Sequence, residues 1–188
     1  MDGISTVVNN NNMTQPQWFA MRATYHREVS VKSMLEEAGI SCYLPMQHQI
    51  KLSHGRTMRV MKTLVSSLLF VHCDKERLQS FKSRLPQLQY MTMQTGQQRK
   101  PIIVPDRQMS DFMRVVDSHS DDLKYFSPEE LCVTSGMKVR VHGGSFDGLE
   151  GRLVGARGRR NRRIVVSIDG VVSVSVEVGD AELIEVLS

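Results

Sequence analysis

Over the first two thirds of the chain, some apolar side chains fall in short runs of strand length and others recur at the spacing of a helix face. Residues 17–23 form a short apolar run of strand length. Four apolar side chains then recur at the spacing of one helix face: Val31, Met34, Leu35 and Ala38. Gly39 follows as a natural helix stop. Residues 64–71 are apolar almost throughout, which favours a central strand.

The same part of the chain predicts a hairpin and two further helices. Residues 50–60 form the hairpin, with residues 53–56 at its tip. Asp74 can cap the second helix, whose shared face is Leu78, Phe81 and Leu85. Pro105 and Asp106 open the third, whose inward side chains are Met109, Phe112, Met113 and Val116. With strands at 41–46 and 88–93, the order predicts an α+β sandwich in which helices flank a sheet.

The C-terminal part is predicted to be a small all-β barrel of about five strands. Residues 164–168 and 171–178 flank an Asp-Gly turn at Asp169, the pattern of a hairpin. The Ser- and Asp-rich stretch before the barrel predicts a linker. We therefore expect a flexible tail at 1–15, a first domain at 16–118, a linker at 119–130 and a barrel at 131–188. The valine-rich runs favour strand over helix, which predicts a stable, flexibly tethered barrel.

Charge and cysteine content narrow the function classes. The net charge of +4 permits nucleic-acid contact but does not demand it. Residues 1–131 carry 16 basic and 13 acidic side chains, and residues 132–188 carry 8 and 7, so any such contact must be a local patch. The three cysteines are far apart, and no apolar run reaches the roughly 20 residues that span a bilayer. These features predict a cytoplasmic, monomeric protein without metal or cofactor.

No catalytic signature is present in the sequence. His48, His54 and His72 do not fall on a metal-ligand spacing. Phosphate-binding loops, serine nucleophile motifs and paired Cys-His signatures are also absent from it. We expect a protein that is not an enzyme.

Residues 136–153, GMKVRVHGGSFDGLEGRL, describe a tight corner between two strands. Apolar and basic side chains alternate, glycines break the strand, and one aromatic residue follows. The pattern resembles the KOW motif, which here comprises Gly136, Val139, Gly143, Gly144, Phe146, Gly148 and Gly151.

The first domain resembles the NGN domain of NusG-type factors. Trp18-Phe19 stands at the family's aromatic start, residues 43–46 resemble its strand ending in proline, and residues 103–105 resemble its lead-in to the third helix. An NGN domain followed by a KOW motif identifies the chain as similar to the NusG family. The resemblance implies an NGN-type α/β sandwich followed by an SH3-like KOW barrel.

The resemblance also implies partners. In this family the NGN domain contacts the clamp helices of RNA polymerase. By motif position, the resemblance implies that the contact residues here are Trp18, Phe19, Tyr43, Pro45, Val65 and Leu68. Gln79 and Ser80 would face the polymerase gate loop, and His26, Arg27 and Arg84 would lie near non-template DNA. The alternatives are that the apolar residues fill the core and that the basic residues are simply solvated.

Five arginines crowd a seven-residue stretch near the C-terminus: Arg157, Arg159, Arg160, Arg162 and Arg163. So much like charge favours an anionic partner, and nascent RNA is the natural candidate. We expect these residues to form a protruding loop between two barrel strands, the alternative being a solubilising loop. The resemblance further implies a small-subunit ribosomal protein or Rho as a partner of the barrel.

One departure from the family pattern affects the expected role. Residues 65–69 read Val-Ser-Ser-Leu-Leu, where the family usually has Phe-Pro-Gly-Tyr-Val or Phe-Pro-Ser-Tyr-Val. This suggests a specialised antiterminator, similar to the UpxY-like and RfaH-like factors, that acts on particular operons. The alternative function is a ribosome-associated RNA-binding protein without a polymerase contact.

Overall fold

The computed structural model describes residues 15–53, 55–118, 123–127, 136–155, 162–179 and 182–187. The predicted tail lies outside them, apart from Gln15. The N-terminal part contains three helices, α1 (Glu28–Glu37), α2 (Lys75–Lys82) and α3 (Asp106–Asp117). Its strands are β1 (Gln17–Ala23), β2 (Ser41–Tyr43), β3 (Met46–Ser53), β4 (Arg56–Thr63), β5 (Leu68–Cys73), β6 (Leu88–Tyr90), β7 (Thr92–Thr95), β8 (Gln98–Pro101) and β9 (Ile103–Val104).

Five of these strands form one antiparallel sheet, in the order β2-β5-β1-β6 with β9 also paired to β1. Of the apolar segment 64–71 predicted to be a central strand, residues 68–71 belong to β5, which lies between β2 and β1. Residues 64–67 form a turn before it, in which Ser67 has a φ of +68°. The remaining four strands form two separate hairpins, β3–β4 and β7–β8. The predicted α+β class of this part is confirmed.

Local signals explain where the helices begin and end. Asp74 caps α2 as predicted, because its carboxylate accepts the backbone N–H of Arg77 at 2.8 Å. Gly39, just after α1, has a φ of +65°, which a glycine adopts without steric cost. Val31 and Leu35 are buried, but Met34 is 41% exposed, so the inward face of α1 is narrower than predicted.

The C-terminal strands are β10 (Lys124–Phe126), β11 (Met137–His142), β12 (Glu150–Gly155), β13 (Arg162–Ile168), β14 (Val172–Glu177) and β15 (Leu183–Val186). They form one antiparallel sheet in the order β10-β14-β13-β12-β11-β15. The Asp-Gly turn joins β13 to β14, as predicted. The C-terminal part is thus a β-rich unit, and none of its described residues lies in an α-helix.

β10 lies inside the stretch that composition predicts to be a linker. It pairs with β14 because Tyr125 and Leu123 supply apolar side chains that pack on the common core. Composition averaged over the stretch hid these two residues among the serines and aspartates around them. Among the described residues, no helix is long and apolar enough to cross a membrane.

Candidate functional site

The N-terminal sheet has two apolar faces with different covers. Side chains alternate along a strand, so neighbouring residues point to opposite faces. On the helix-covered face, Phe19 and Met21 of β1 join Leu69 and Val71 of β5 in one cluster with α1 and α2. Among the described residues, the members of this cluster all lie between residues 19 and 90.

The opposite face is covered by α3 and by the C-terminal barrel. Ala20, Leu68 and Phe70 belong to a cluster that continues through α3 into barrel valines. The rings of Phe70 and Phe112 meet edge to face at 5.7 Å, which fixes α3 on the sheet. The barrel is therefore packed on the N-terminal part, whereas the sequence predicted a flexible tether.

Side chains of α3 bind the barrel at the turn after β11. Arg114 donates hydrogen bonds to the backbone oxygens of Ser145 at 2.7 Å and Asp147 at 2.6 Å. Gln108 donates to the backbone oxygen of Ser167 at 2.6 Å. These bonds join one helix to two separate parts of the barrel. They therefore hold the barrel against α3 and also fix its orientation.

An ion pair completes this junction. The carboxylate of Glu150 lies 2.7 Å from Arg107 of α3 and 2.6 Å from Arg140 of the barrel. The hydrogen bond from Arg140 and the charge of Arg107 hold the pKa of Glu150 below its ordinary value. Glu150 is therefore a charged bridge between the two parts of the molecule.

A hydrogen bond joins the C-terminal end of α3 to the N-terminal sheet. Tyr43 of β2 donates to the carboxylate of Asp117 at 2.8 Å. Burial and this hydrogen bond raise the pKa of Tyr43. Burial and the charge of Asp117 raise the pKa of Tyr125 on β10. Both phenols stay protonated at neutral pH, so Tyr43 remains a hydrogen-bond donor to Asp117.

A cavity of about 390 Å³ remains between the sheet and the barrel. Its N-terminal wall consists of Arg22, Val65, Ser66, Ser67, Leu68 and Met91. Its C-terminal wall consists of Tyr125, Phe126, Ser127, Gly170, Val171 and Val172. The segment that departs from the family pattern therefore lies directly beneath the barrel.

The family model described as "Transcription termination factor nusG" matches residues 16–113. The chain belongs to the NusG family. Membership makes it a transcription factor of the elongation and antitermination class, with an NGN-type domain formed by the sheet and its three helices. No curated protein matches the sequence.

A solved structure of Thermotoga maritima NusG, described as showing domain interaction, is similar to this chain. It shares 18% identity, with a TM-score of 0.48, over 93% of this chain and 98% of that one. A likeness at this level carries no conclusion about function.

The six residues predicted to meet the polymerase clamp do not share one environment. Trp18, Tyr43 and Val65 are half-buried and pack against the cluster on the barrel-covered face. Leu68 is buried on that same face at 3% exposure. Pro45 is buried as well.

Phe19 faces the other way. It is 1% exposed and packs on the ring of Tyr90 beneath the helices. As the immediate neighbour of Trp18 on a strand, it could not share the face of Trp18.

The residues predicted near the gate loop and DNA lie on the helix side. Gln79 and Ser80 are exposed on α2. His26 and Arg27 are exposed just before α1. The backbone N–H of Thr24 donates to the oxygen of Gln87 at 2.9 Å, which brings this turn beside the end of α2, where Arg84 is exposed.

Sequence reasoning missed Tyr25 on this surface. Its side chain is 83% exposed, and its backbone has a φ of +61°, a conformation in which residues other than glycine are uncommon. The signal available in the sequence was an aromatic residue immediately before His26 and Arg27. An exposed ring beside cations is a feature of surfaces that bind single-stranded nucleic acid.

The KOW glycines have two kinds of role. At Gly151 an added Cβ would come within 2.6 Å of the backbone oxygen of Val165, so β12 and β13 approach too closely for any side chain. Gly143 has a φ of +84° and donates its N–H to Asp147 at 2.7 Å, closing the turn. Val139 and Phe146 are buried, as the motif implies.

The predicted arginine loop is only partly within the described residues. Arg157, Arg159 and Arg160 lie outside them. Arg162 and Arg163 belong to β13 rather than to a loop. Arg162 donates to the oxygen of Gly179 at 2.8 Å, and Arg163 donates to Ser175 at 3.1 Å. These two guanidinium groups therefore help to hold the barrel together.

Proposed function

We propose that the chain is an antiterminator that binds RNA polymerase through the barrel-covered face of its N-terminal sheet. We call the residues Trp18, Tyr43, Val65 and Leu68 the docking face. The observation that supports this is that the helix-covered face is closed by its own domain, whereas the docking face is closed partly by a separate unit. Apolar side chains that can be uncovered provide the anchors that interfaces need.

Binding at this face requires the barrel to move. Val65 and Leu68 line the cavity beneath Val171 and Val172, so a partner and the barrel compete for one surface. The apparent affinity for polymerase is then reduced by the fraction of molecules in which the barrel is released. The bonds of Arg107, Gln108 and Arg114 and the apolar contacts of the shared cluster set that fraction.

The helix side would meet the other partners of the elongation complex. Gln79 and Ser80 would face the gate loop, and His26, Arg27 and Arg84 would lie along non-template DNA. The structure supports this grouping because Thr24 and Gln87 bring the two basic segments together. Contact with clamp and gate together resists clamp opening and so reduces pausing.

The released barrel would serve as the recruiting unit, for nascent RNA, a small-subunit ribosomal protein or Rho. Arg157, Arg159 and Arg160 are the arginines proposed to contact RNA phosphates. The departures in residues 65–69 support a specialised, operon-specific role of the UpxY-like or RfaH-like kind. Action in transcription supports a location in the cytoplasm.

The test is retention of the full chain by bacterial core RNA polymerase. Val65→Asp places a charge on the docking face and should abolish retention. Val29→Asp is the matched control, because Val29 is 57% exposed on α1, far from the docking face, and should retain binding. Circular dichroism of both variants checks folding.

Equal retention of the two variants would contradict the proposed docking face. If the native chain is not retained but sediments with ribosomes or RNA, the ribosome-associated function replaces the proposal.

A further inference from the structure

The cavity between the sheet and the barrel has a polar mouth and an apolar floor. Leu68, Val171 and Val172 are buried, and they form its inner part. Arg22 and Ser66 also line the cavity but are exposed to solvent, so they lie where it opens. A ligand that enters would therefore place an apolar body inside and a polar group at the mouth.

Arg22 gives this mouth a positive charge. Alternate residues of a strand share a face, so the side chain of Arg22 leaves β1 on the same barrel-covered face as Ala20. Leu68 lies directly opposite Arg22 on β5 and shares that face. Among the described residues, no ion pair or hydrogen bond engages the guanidinium group of Arg22. None of the described residues that line the cavity is acidic, so this charge can pair with an anion.

A single guanidinium group favours a ligand with one negative charge. Arginine and a carboxylate pair through two parallel hydrogen bonds, in which the charges balance. A phosphate monoester carries a charge of about −1.5 to −2 at neutral pH, which one arginine leaves partly unpaired. The mouth of the cavity therefore suits a carboxylate better than a phosphate.

The turn before β5 is a preformed part of the wall. The backbone N–H of Leu68 donates to the oxygen of Val65 at 3.2 Å, and Ser67 has a φ of +68°. Residues other than glycine rarely adopt such a φ, and those that do are concentrated at functional sites, ligand clamps among them. The oxygen of Ser67 accepts the backbone N–H of Ala23 at 2.8 Å, which holds the turn against β1. Ser66 and Ser67 are therefore fixed in the wall near Arg22, where a hydroxyl group can donate to an anion.

The size of the cavity selects a small ligand. Sites for small molecules have volumes from roughly 300 Å³ upward and often lie between domains, and this cavity has about 390 Å³. A water molecule takes up about 30 Å³ of the liquid, so there is room for about a dozen non-hydrogen atoms. Val65 and Leu68, at positions where the family usually has phenylalanine and tyrosine, leave part of this space unfilled.

We propose that this cavity binds a small amphipathic carboxylate, with its anionic group on Arg22 and its apolar body against Leu68, Val171 and Val172. Such a ligand contacts the sheet and the barrel together, so it binds only the molecule in which the barrel is docked. A ligand that binds one state alone stabilises that state by mass action. At ten times its dissociation constant, it lowers the population of released barrel about elevenfold.

The consequence for transcription rests on the proposed function. If polymerase binds the docking face, the carboxylate opposes that binding by holding the barrel in place. Occupation of the cavity itself requires only the docked barrel.

The experiment measures the binding of cinnamate to the full chain by isothermal titration calorimetry. Cinnamyl alcohol and cinnamylamine provide the comparison, because they carry a neutral and a positive group on the same apolar body. Cinnamate should bind about tenfold more tightly than either, or better, since hydrogen bonds between charged groups are the strong ones. Arg22→Gln should abolish this preference and leave the affinity for the alcohol unchanged. The matched control is Arg99→Gln, because Arg99 is exposed on β8 and does not line the cavity; it should bind cinnamate as the native chain does.

A second variant tests whether the ligand lies inside the cavity. Val65→Phe adds bulk to the wall and keeps Arg22, so it should abolish binding of both cinnamate and the alcohol. Loss of binding by filling of the cavity or by displacement of the barrel places the site between the two walls. Circular dichroism of each variant checks folding. Tighter binding of cinnamate than of decanoate would assign the site to an aromatic acid, and the reverse to a fatty acid.

Stabilisation of the docked barrel has its own measurement. Cinnamate at ten times its dissociation constant should slow amide exchange at Leu68 about elevenfold in the native chain. An unchanged exchange rate at saturating cinnamate would contradict binding to the docked state alone.

Four results of the titrations would overturn the proposal. The first is no saturable binding of cinnamate or decanoate by the native chain, and the second is equal affinity for cinnamate and the alcohol. The third is an equal loss of affinity in Arg22→Gln and Arg99→Gln, and the fourth is unchanged binding by Val65→Phe. Because polymerase is absent from these titrations, their outcome is independent of the test of the docking face.

Discussion

Both faces of the N-terminal sheet are apolar, but they are closed in different ways. The helix-covered face packs Phe19, Met21 and Leu69 against helices of the same domain. The docking face is closed by α3 and by strands that begin after residue 123. A cover supplied by its own domain can be lost only by unfolding. The barrel is a separate unit, held by the polar bonds of α3 and by the shared apolar cluster, so it can dissociate while the N-terminal domain stays folded. The proposed docking requires this difference between the two faces.

The largest effect should come from truncation on the helix-covered face. Phe19→Ala removes a fully buried ring and should lower the free energy of unfolding by about 3–5 kcal/mol. Urea denaturation followed by circular dichroism measures this. Trp18→Ala, on the docking face, should cost less because its ring is only half-buried. A larger loss of unfolding free energy in Trp18→Ala than in Phe19→Ala would contradict the expected difference between the two faces.

A substitution inside the barrel can destabilise it without altering either face of the N-terminal sheet. Gly151→Ala forces a methyl group against β13 and should destabilise the barrel by about 1–3 kcal/mol. Faster amide exchange in β12 and β13, with β1 and α1 unchanged, is the expected result. Gly179→Ala is the control, since a Cβ there would make only an ordinary contact at 3.7 Å with Glu182. Equal exchange in the two variants would show that the close approach at Gly151 is unimportant.

A smaller effect should follow from cutting the bonds of α3. Arg107→Ala together with Arg114→Ala removes the ion pair to Glu150 and two hydrogen bonds, a loss of about 1–2 kcal/mol in barrel docking. Amide exchange at Leu68 should accelerate, while exchange at the α2 cap stays constant. The control, Arg27→Ala with Arg84→Ala, removes the same charge from the helix side. It should leave the rate of amide exchange at Leu68 unchanged. If both pairs behave alike, α3 does not hold the barrel.

The smallest effect should be the dependence of docking on pH. The lowered pKa of Glu150 means that its contribution is fully present above the ordinary glutamate pKa of about 4.3. It is lost as the pH falls below that value and through the lower pKa of the folded state. The protection factor of the Leu68 amide, which corrects for the slower intrinsic exchange in acid, should therefore fall below about pH 4.3. The Glu150→Gln variant should lose this part of the pH dependence. If its pH profile matched that of the native chain, the role assigned to Glu150 would be contradicted.

Local signals were sufficient to predict most of the elements. The Asp74 cap, the tips of two hairpins and the burial of Met109, Phe112 and Val116 all follow from short-range chemistry. The opposite orientations of Trp18 and Phe19 could also have been deduced, because adjacent strand residues never share a face.

Long-range features could not be predicted in this way. The pairing of β10 with β14 joins residues about 50 positions apart, and no local pattern specifies such a partner. The packing of the barrel on α3 depends on bonds to backbone oxygens of Ser145, Asp147 and Ser167, which any residue could provide. The sequence therefore suggested the apolar residues of the proposed docking face but contained no signal that the barrel covers them.

The most direct test of a barrel-covered docking face is the affinity of core RNA polymerase for the full chain and for the Arg107→Ala, Arg114→Ala variant. If barrel release limits binding, the variant should bind more tightly, by roughly 5–30-fold for 1–2 kcal/mol of lost docking. The further change Val65→Asp should abolish that gain. Equal or weaker binding by the released variant would contradict the account.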